Sequence, residues 1–387
     1  MREAYRTGGR GPRIWLADFT ALAPGAAPAT LPGGLLHTRA SAATVQTGTS
    51  SIYSSLGVDA LGIGRALDAD LAAAVLDESR TNLVTDNRGY VTGWSATGTG
   101  ATFTAGFSAG VDGTAGKAAR MTTPAGDYCR YINITIVQGA RYAYTAFHRG
   151  AVSDGLWSWW EWADNAKSNG SITLAQWQRI SRVVTSTGTN GLFSTADCQG
   201  QAFSVDVLID VPQVEQGAFP TEAIITISSP ATRAGARLYL ASRAPLVSAG
   251  RISMALSLQA KGAPADYAAT PYLWYIDANN NALLNSAGTV AVTIGGSTYT
   301  TASAASWAQG DAIDLWVEAG GGNLQTVVKY RKNGGAVSTL GTSPAPQSAI
   351  ASSGAIDLLG NSASNVFSSR LRTAAAYRSG TRPSWAQ

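Results

Sequence analysis

Between residues 84 and 227 the side chains alternate one position at a time. Tyr142-Ala143-Tyr144-Thr145-Ala146-Phe147-His148 alternates large with small, and Arg130-Tyr131-Ile132-Asn133-Ile134-Thr135-Ile136 places isoleucine at every second site. Gln178-Arg179-Ile180-Ser181-Arg182-Val183-Val184 and Phe203-Ser204-Val205-Asp206-Val207-Leu208-Ile209 follow the same rule. A period of two is that of a strand with one face buried. Glycine-containing turns separate these runs and no amphipathic helix of useful length interrupts them. The pattern predicts an antiparallel β-sandwich.

A second β unit follows. Arg251-Ile252-Ser253-Met254-Ala255-Leu256-Ser257-Leu258 alternates strictly, and further strands are predicted at 314–318, 325–330 and 355–359. Tyr272 to Ile276 and Ala282 to Leu284 flank Asp277-Ala278-Asn279-Asn280-Asn281, a turn composition. Lys332-Asn333-Gly334-Gly335 is a hairpin signal. Ser228-Ser229-Pro230-Ala231-Thr232 reads as a linker. Residues 1–83 differ: Gly8-Gly9-Arg10-Gly11-Pro12 and Pro24-Gly25-Ala26-Ala27-Pro28 break the chain around Ile14-Trp15-Leu16. Leu67 to Leu76 (LDADLAAAVL) fits a short helix or a strand. This segment lacks a core of its own and is expected to pack against the later domains or a partner protein. The expected organisation is mainly β: an irregular N-terminal anchoring segment (1–83) followed by two antiparallel sandwiches, 84–227 and 228–387.

Composition agrees. Only 13% of the 387 residues are charged and 43 are glycine, far from the Glu-, Lys- and Leu-rich profile of a helical bundle. No stretch of 18 apolar residues occurs, so membrane insertion is not expected. Met1-Arg2-Glu3-Ala4-Tyr5-Arg6 leads into Gly and Arg instead of an apolar run, and no secretory signal is expected. The net charge of +4 raises the question of nucleic acid. The excess lies in residues 222–387, with 12 basic and 7 acidic groups scattered and not clustered, so no nucleic-acid partner is expected. Cys129 and Cys198 are too few for a disulfide framework and read as small core residues, a bridge formed after cell lysis being the alternative.

The densest candidate chemistry is Trp157-Ser158-Trp159-Trp160-Glu161-Trp162, with Asp164 and Asn165 just after. On a strand Trp157, Trp159 and Glu161 share one face, while Ser158, Trp160 and Trp162 share the other. A sandwich buries one face of each sheet, so at least one tryptophan is expected outside, where an indole suits the C–H face of a pyranose ring. Glu161 and Asp164 are expected to accept hydrogen bonds from sugar hydroxyls. The competing reading buries all four tryptophans in the core or in a subunit interface. His148 and Arg149 close a neighbouring strand and join the candidate carbohydrate site, although a histidine at a strand end is more often a plain surface residue. Tyr272, Trp274 and Tyr275 form a second aromatic group, read as core.

Enzymatic readings are weaker. Gly106-Phe107-Ser108-Ala109-Gly110 fits the G-x-S-x-G nucleophile elbow, but Val111-Asp112-Gly113-Thr114-Ala115-Gly116 after it is a turn and not the required helix. His37 and His148 are the only histidines, and only His148 follows the serine. Gly113-Thr114-Ala115-Gly116-Lys117 lacks phosphate-loop spacing. Two His and two Cys offer no metal cluster. Asp277-Ala278-Asn279-Asn280-Asn281 begins like a calcium loop but lacks the sixth-position Gly and the distant Glu. No cofactor is expected, a structural calcium being the one exception compatible with the fold. Two carboxylates suffice for a glycosidase, and Glu161 with Asp164 would be that pair. No catalytic residue is assigned and the chain is read as non-enzymatic.

Several phrases, in order, resemble phage structural proteins. His37-Thr38-Arg39-Ala40-Ser41-Ala42-Ala43-Thr44 resembles their "TRASAAT" opening, and Leu76-Asp77-Glu78-Ser79-Arg80-Thr81-Asn82-Leu83 resembles "LIEESRTNL". A stretch containing Trp94, the turn Val111-Asp112-Gly113-Thr114 and the strand Trp177-Gln178-Arg179-Ile180-Ser181 follow. Pro212-Gln213-Val214-Glu215-Gln216-Gly217-Ala218-Phe219-Pro220-Thr221 is similar to "AQLEEGAFPTSYI", and Ala231-Thr232-Arg233-Ala234 completes the set. The resemblance spans residues 37–234 and leaves the first 36 unmatched. It implies a head-spike or tail-fibre protein with a carbohydrate-binding-module-like jelly roll. Residues 236–387, ending in Arg382-Pro383-Ser384-Trp385, look like an appended concanavalin-A-like sandwich. Related proteins form the head spikes of gene transfer agents, where they attach to capsule.

On that resemblance the expected partner is a bacterial surface polysaccharide, with the protein displayed on a virion or phage-like particle. A second virion protein is expected to hold the N-terminal segment. A homo-oligomer is expected because multivalency raises weak sugar affinities. The alternatives are a decoration or adaptor protein without sugar binding, or a capsule-degrading glycosidase.

Overall fold

The structure, a computed structural model, describes residues 13–21, 32–38, 43–46, 53–56, 63–65, 72–88, 90, 94–96, 99–127, 130–152, 156–161, 167–195, 202, 204–267, 269–322, 324–361, 365–378 and 382–386. It is almost entirely antiparallel β-sheet, and among these residues the helical pieces are three-residue 3-10 turns. No described helix is long and apolar enough to cross a membrane. The chain divides into two compact units, one formed by residues 1–42, 57–79 and 234–387, the other by 43–56 and 80–233.

The unit of residues 43–56 and 80–233 is a sandwich of two five-stranded sheets. One sheet runs Gln178–Thr185, Arg141–Gly150, Val205–Gln216, Ala118–Thr123, Thr102–Ser108. The other runs Lys167–Ile172, Leu156–Glu161, Asn190–Thr195, Arg130–Thr135, Trp94–Ala96. Alternation supplies the core between them: Met121, Tyr142, Tyr144, Ala146, Val207 and Ile209 from the first sheet, Trp94, Ile132, Ile134 and Ile172 from the second. Such a two-sheet core is the principal hydrophobic stabilisation of a sandwich. A smaller cluster on the outer side of the first sheet gathers Val111, Ala118, Phe147, Trp177, Leu208, Val211 and Ala223.

In this unit the residues of the phage-like phrases are structural. Arg80–Asn82 pairs with Ala231–Arg233, so the stretch expected to be a linker instead ends in a strand. Asn82 is fully buried: its amide donates to the carbonyls of Ile224 and Pro212, and its oxygen accepts from the N–H groups of Val84 and Val214. Asn87 holds Ile224 and Thr226 in the same way. Arg80 stacks over the buried Phe219 ring at 5.2 Å.

Asp112, from the Val111-Asp112-Gly113-Thr114 turn, takes both terminal nitrogens of Arg88 at 2.7 Å, and the buried Asp210 takes Arg88 at 3.3 Å. Burial works against the Asp112 carboxylate, but the Arg88 hydrogen bond and its neighbours outweigh it and hold the group at about 2. Asp210 is pushed up to about 6 by burial, which outweighs Arg88 and the N–H groups of Val111 and Val211.

The other unit has a nine-stranded and a seven-stranded sheet. The first follows the path Ser338–Pro346, Gln325–Lys332, Ala312–Gly320, Arg251–Ala260, Ser369–Tyr377, Ala72–Leu76, Ile63–Arg65, with Arg13–Asp18 also on Ser369–Tyr377 and Val247–Ser248 on Arg251–Ala260. The second runs Leu36–Thr38, Arg237–Leu240, Ile356–Leu358, Tyr272–Asp277, Asn280–Leu284, Val290–Ile294, Ser297–Thr300. Residues 72–76, open to helix or strand from sequence, form a strand paired on both sides, with Ala73, Ala74, Val75 and Leu76 all buried. Of the two destinations considered for the N-terminal segment, these described strands take the chain's own C-terminal sheets. The hairpin at Asn333-Gly334 uses left-handed φ of 49° and 69° at both central residues, the geometry of a type I′ turn.

Candidate functional site

The strand Leu156–Glu161 lies between Lys167–Ile172 and Asn190–Thr195. Its register decides which positions look outward. Leu156 is opposite Ile172, which is fully buried in the core. Directly opposed residues share a face, so positions 156, 158 and 160 belong to the core side and 157, 159 and 161 to the outer side. The other neighbour leads to the same result. Trp160 is opposite Thr195, and two residues earlier Phe193 is opposite the buried Ile132.

On the outer side, position 157 is opposite Ser171, 159 opposite Asn169, and 161 opposite Lys167 and Ser194. Asn133 and Thr135 occupy the same side of the sheet two strands away and are exposed. The outer side of the sheet thus carries the sequence positions Trp157, Trp159 and Glu161 paired with Ser171, Asn169 and Lys167. Those residue types combine apolar stacking area with donors and acceptors, as a sugar requires.

Other candidates fall elsewhere. Trp162 and Asp164 lie outside the described residues, as do Cys129 and Cys198. His148 is not at a strand end: its strand runs on to Gly150, and His148 sits opposite the core residue Ile209. It is 0% exposed, and burial pushes the imidazole down to about 3, so it is neutral and out of reach of a surface sugar. Arg149 is opposite Leu208 and stacks on Trp177 at 4.9 Å, on the outer side of the opposite sheet. The fold therefore brings neither His148 nor Arg149 to the face of positions 157, 159 and 161. Strands 141–150 and 156–161 are consecutive in sequence but belong to different sheets.

Ser108 ends a strand that leads into a turn, and its Oγ accepts a 3.2 Å hydrogen bond from Arg149. His148 lies on the core side of its strand and Ser108 bonds Arg149 instead. Asp277 accepts from the Asn279 N–H and the Asn280 amide, which makes the calcium-like stretch a hairpin turn. Among the described residues no group of three or more His, Cys, Asp or Glu is placed to hold a metal.

Of the second aromatic group, Trp274 is core, while Tyr272 and Tyr275 are half-buried and meet edge to face at 4.9 Å. Tyr275 is opposite Asp357, itself opposite Tyr239, and Arg237 covers the Tyr239 ring at 4.3 Å while bonding Asp357 at 2.9 Å. Tyr272 and Tyr275 were legible as a pair, whereas Tyr239 lies far away in the chain and joins them only through strand pairing.

No protein-family model matches the chain, and no curated protein does. Among solved structures, it is similar to endo-1,4-beta-D-xylanase 10B of Clostridium thermocellum, in a structure of CBM22-1 and GH10 modules complexed with xylohexaose. The match has 16% identity and a TM-score of 0.24, over 39% of this chain and 30% of that one. It is also similar to the CBM22-1 xylan-binding domain from Paenibacillus barcinonensis, at 13% identity and a TM-score of 0.25, over 42% of this chain and 99% of that one. A tandem CBM22-1-CBM22-2 structure from the same organism matches at 10% identity and a TM-score of 0.25, over 78% of this chain and 96% of that one. The assignment of a β-sandwich fold rests on the strand pairings described above.

Proposed function

We propose that this chain is a non-enzymatic glycan-binding protein on the surface of a phage-like particle, attaching it to a bacterial surface polysaccharide. The observation that carries the glycan part is the outer sheet face of positions 157, 159 and 161, with Lys167, Asn169 and Ser171 beside them. Trp157 and Trp159 supply stacking area for pyranose rings, and Glu161 accepts from sugar hydroxyls. Flat aromatic contacts bind single sugars weakly, so a homo-oligomer gains strength by engaging a repeating polymer at several points. The particle part is supported by the ordered phage-like phrases over residues 37–234.

The test is attachment of the purified chain to encapsulated and capsule-free cells of a susceptible host. Trp157→Ala and Trp159→Ala are each expected to weaken binding to encapsulated cells by about tenfold, the loss of roughly 1.4 kcal/mol. Trp160→Ala, on the core side, is expected to lower stability instead. Equal binding to capsule-free cells, or unchanged binding by both folded outer-face variants, would overturn the proposal.

A further inference from the structure

The opposite sheet carries a second, chemically different surface. Arg149, Leu208 and Arg120 lie side by side on its outer face, on three adjacent strands. Arg120 is neutralised, gripping Asp206 with two hydrogen bonds of 3.0 and 2.7 Å. Arg149 is not. It is half-buried, its guanidinium lies on the Trp177 ring, and its hydrogen-bond partner among the described residues is a neutral hydroxyl, Ser108 Oγ. No described carboxylate meets it, and desolvation lowers its affinity for its proton.

A guanidinium drawn partly out of water without a counter-charge is costly, and a fixed fork is the side chain suited to a carboxylate. Beside it, Phe107 is 48% exposed, with Arg120 over its ring at 5.1 Å. The register of this edge strand shifts where Gly106 takes a φ of 66°, and the consecutive Phe107 and Ser108 both reach arginines of the outer face. Lys117, exposed, bonds the Ser108 carbonyl through its backbone N–H and adds a further positive charge nearby.

We infer that Arg149, held by Ser108 and Trp177, is an anion subsite that receives the carboxylate of an acidic glycan while Phe107 contacts the sugar ring. The inference deepens the glycan-binding reading and uses a face other than that of Trp157 and Trp159. It names the substrate class as polysaccharides carrying uronic acids. Because the fork is already oriented by its stack and its serine bond, little ordering entropy is lost when the anion arrives.

The experiment measures affinity of the full chain for polygalacturonate, alginate and hyaluronan, each beside its carboxyl-reduced form. Wild type is expected to prefer at least one acidic form over its reduced counterpart by about tenfold, the value of one good charge-assisted pairing. Arg149→Gln is expected to erase that preference and leave the reduced polymer bound as before. Trp157→Ala is expected to weaken both forms alike and preserve the preference. Should Arg149→Gln fail to fold, Ser108→Ala frees the fork without removing its charge and is expected to reduce the preference by about threefold. Wild type without preference for any acidic form overturns the subsite, as does a folded Arg149→Gln or Ser108→Ala chain that keeps the preference. Unchanged binding by Trp157→Ala would instead count against the other face, so the two failures are distinguishable.

Discussion

Two buried titratable side chains give this protein opposing pH dependences. His148 is neutral in the folded chain, with its pKa pushed down to about 3 by burial, and in the unfolded chain it titrates near 6.5. Below 6.5 only the unfolded chain takes up this proton, so the stability it contributes is full above that pH and is lost as pH falls toward 3. Asp210, raised to about 6 by burial against an ordinary 3.8, acts in the other sense. Between those values only the folded chain holds its proton, and stability falls as pH rises. Each slope is worth about 1.4 kcal/mol per pH unit where it acts alone. Between pH 4 and 6 the two offset one another. The expected outcome of urea titrations is a nearly flat profile there for wild type, a rise with pH for Asp210→Asn and a fall with pH for His148→Leu. Parallel profiles for all three chains would contradict this assignment.

At the scale of elements, the strand Val205–Gln216 organises its sandwich. It pairs with Arg141–Gly150 on one side and Ala118–Thr123 on the other. A register shift opposite Thr145 and Phe147, with Val211 at a φ of 47°, switches which residues face the core: Val207 and Ile209 before it, Val214 after it. The strand ends at Gln216, and at the following Gly217 φ is 153° and an added Cβ would sit 1.5 Å from the Arg80 guanidinium. Gly217→Ala therefore forces Arg80 off Phe219 as well as straining the backbone. It is expected to destabilise this unit by about 1 to 3 kcal/mol, read from the shift of its denaturant midpoint. A shift below about 0.5 kcal/mol, typical of an unconstrained surface site, would show that the Arg80 stack is dispensable.

For the whole molecule, the order of the chain matters more than its length. The unit containing the C-terminal residues is assembled from three separated stretches, and Arg13–Asp18, Leu36–Thr38, Ile63–Arg65 and Ala72–Leu76 complete its two sheets. Trp15, Phe19 and residues 73–76 are buried there. A fragment of residues 234–387 lacks all of these and is expected to expose apolar sheet and fail to unfold cooperatively. A fragment of residues 80–233 retains every member of its main core cluster and is expected to show a single cooperative transition. Calorimetry of both fragments tests this, and a cooperatively folded 234–387 would refute it.

The strands and hairpins were legible in the sequence because alternation and turn chemistry are local. Ile132 and Ile134 face inward as their spacing requires, and Asn333-Gly334 turns where a type I′ turn needs left-handed residues. The inward place of His148 was legible too, since Tyr142, Tyr144 and Ala146 lead to it at steps of two; a strand end assumed two residues early hid it. Alternation also separated Trp157, Trp159 and Glu161 from Trp160, but it did not say which set of positions lies on the core side of the sheet. That was decided by the partner, Ile172, across the ladder. Sheet membership was likewise out of reach, because hydrogen bonds between distant strands and not the order of the chain determine it. Those pairings set Arg149 on one outer face and the tryptophan positions on the other, and so separate residues that the order of the chain had suggested were neighbours.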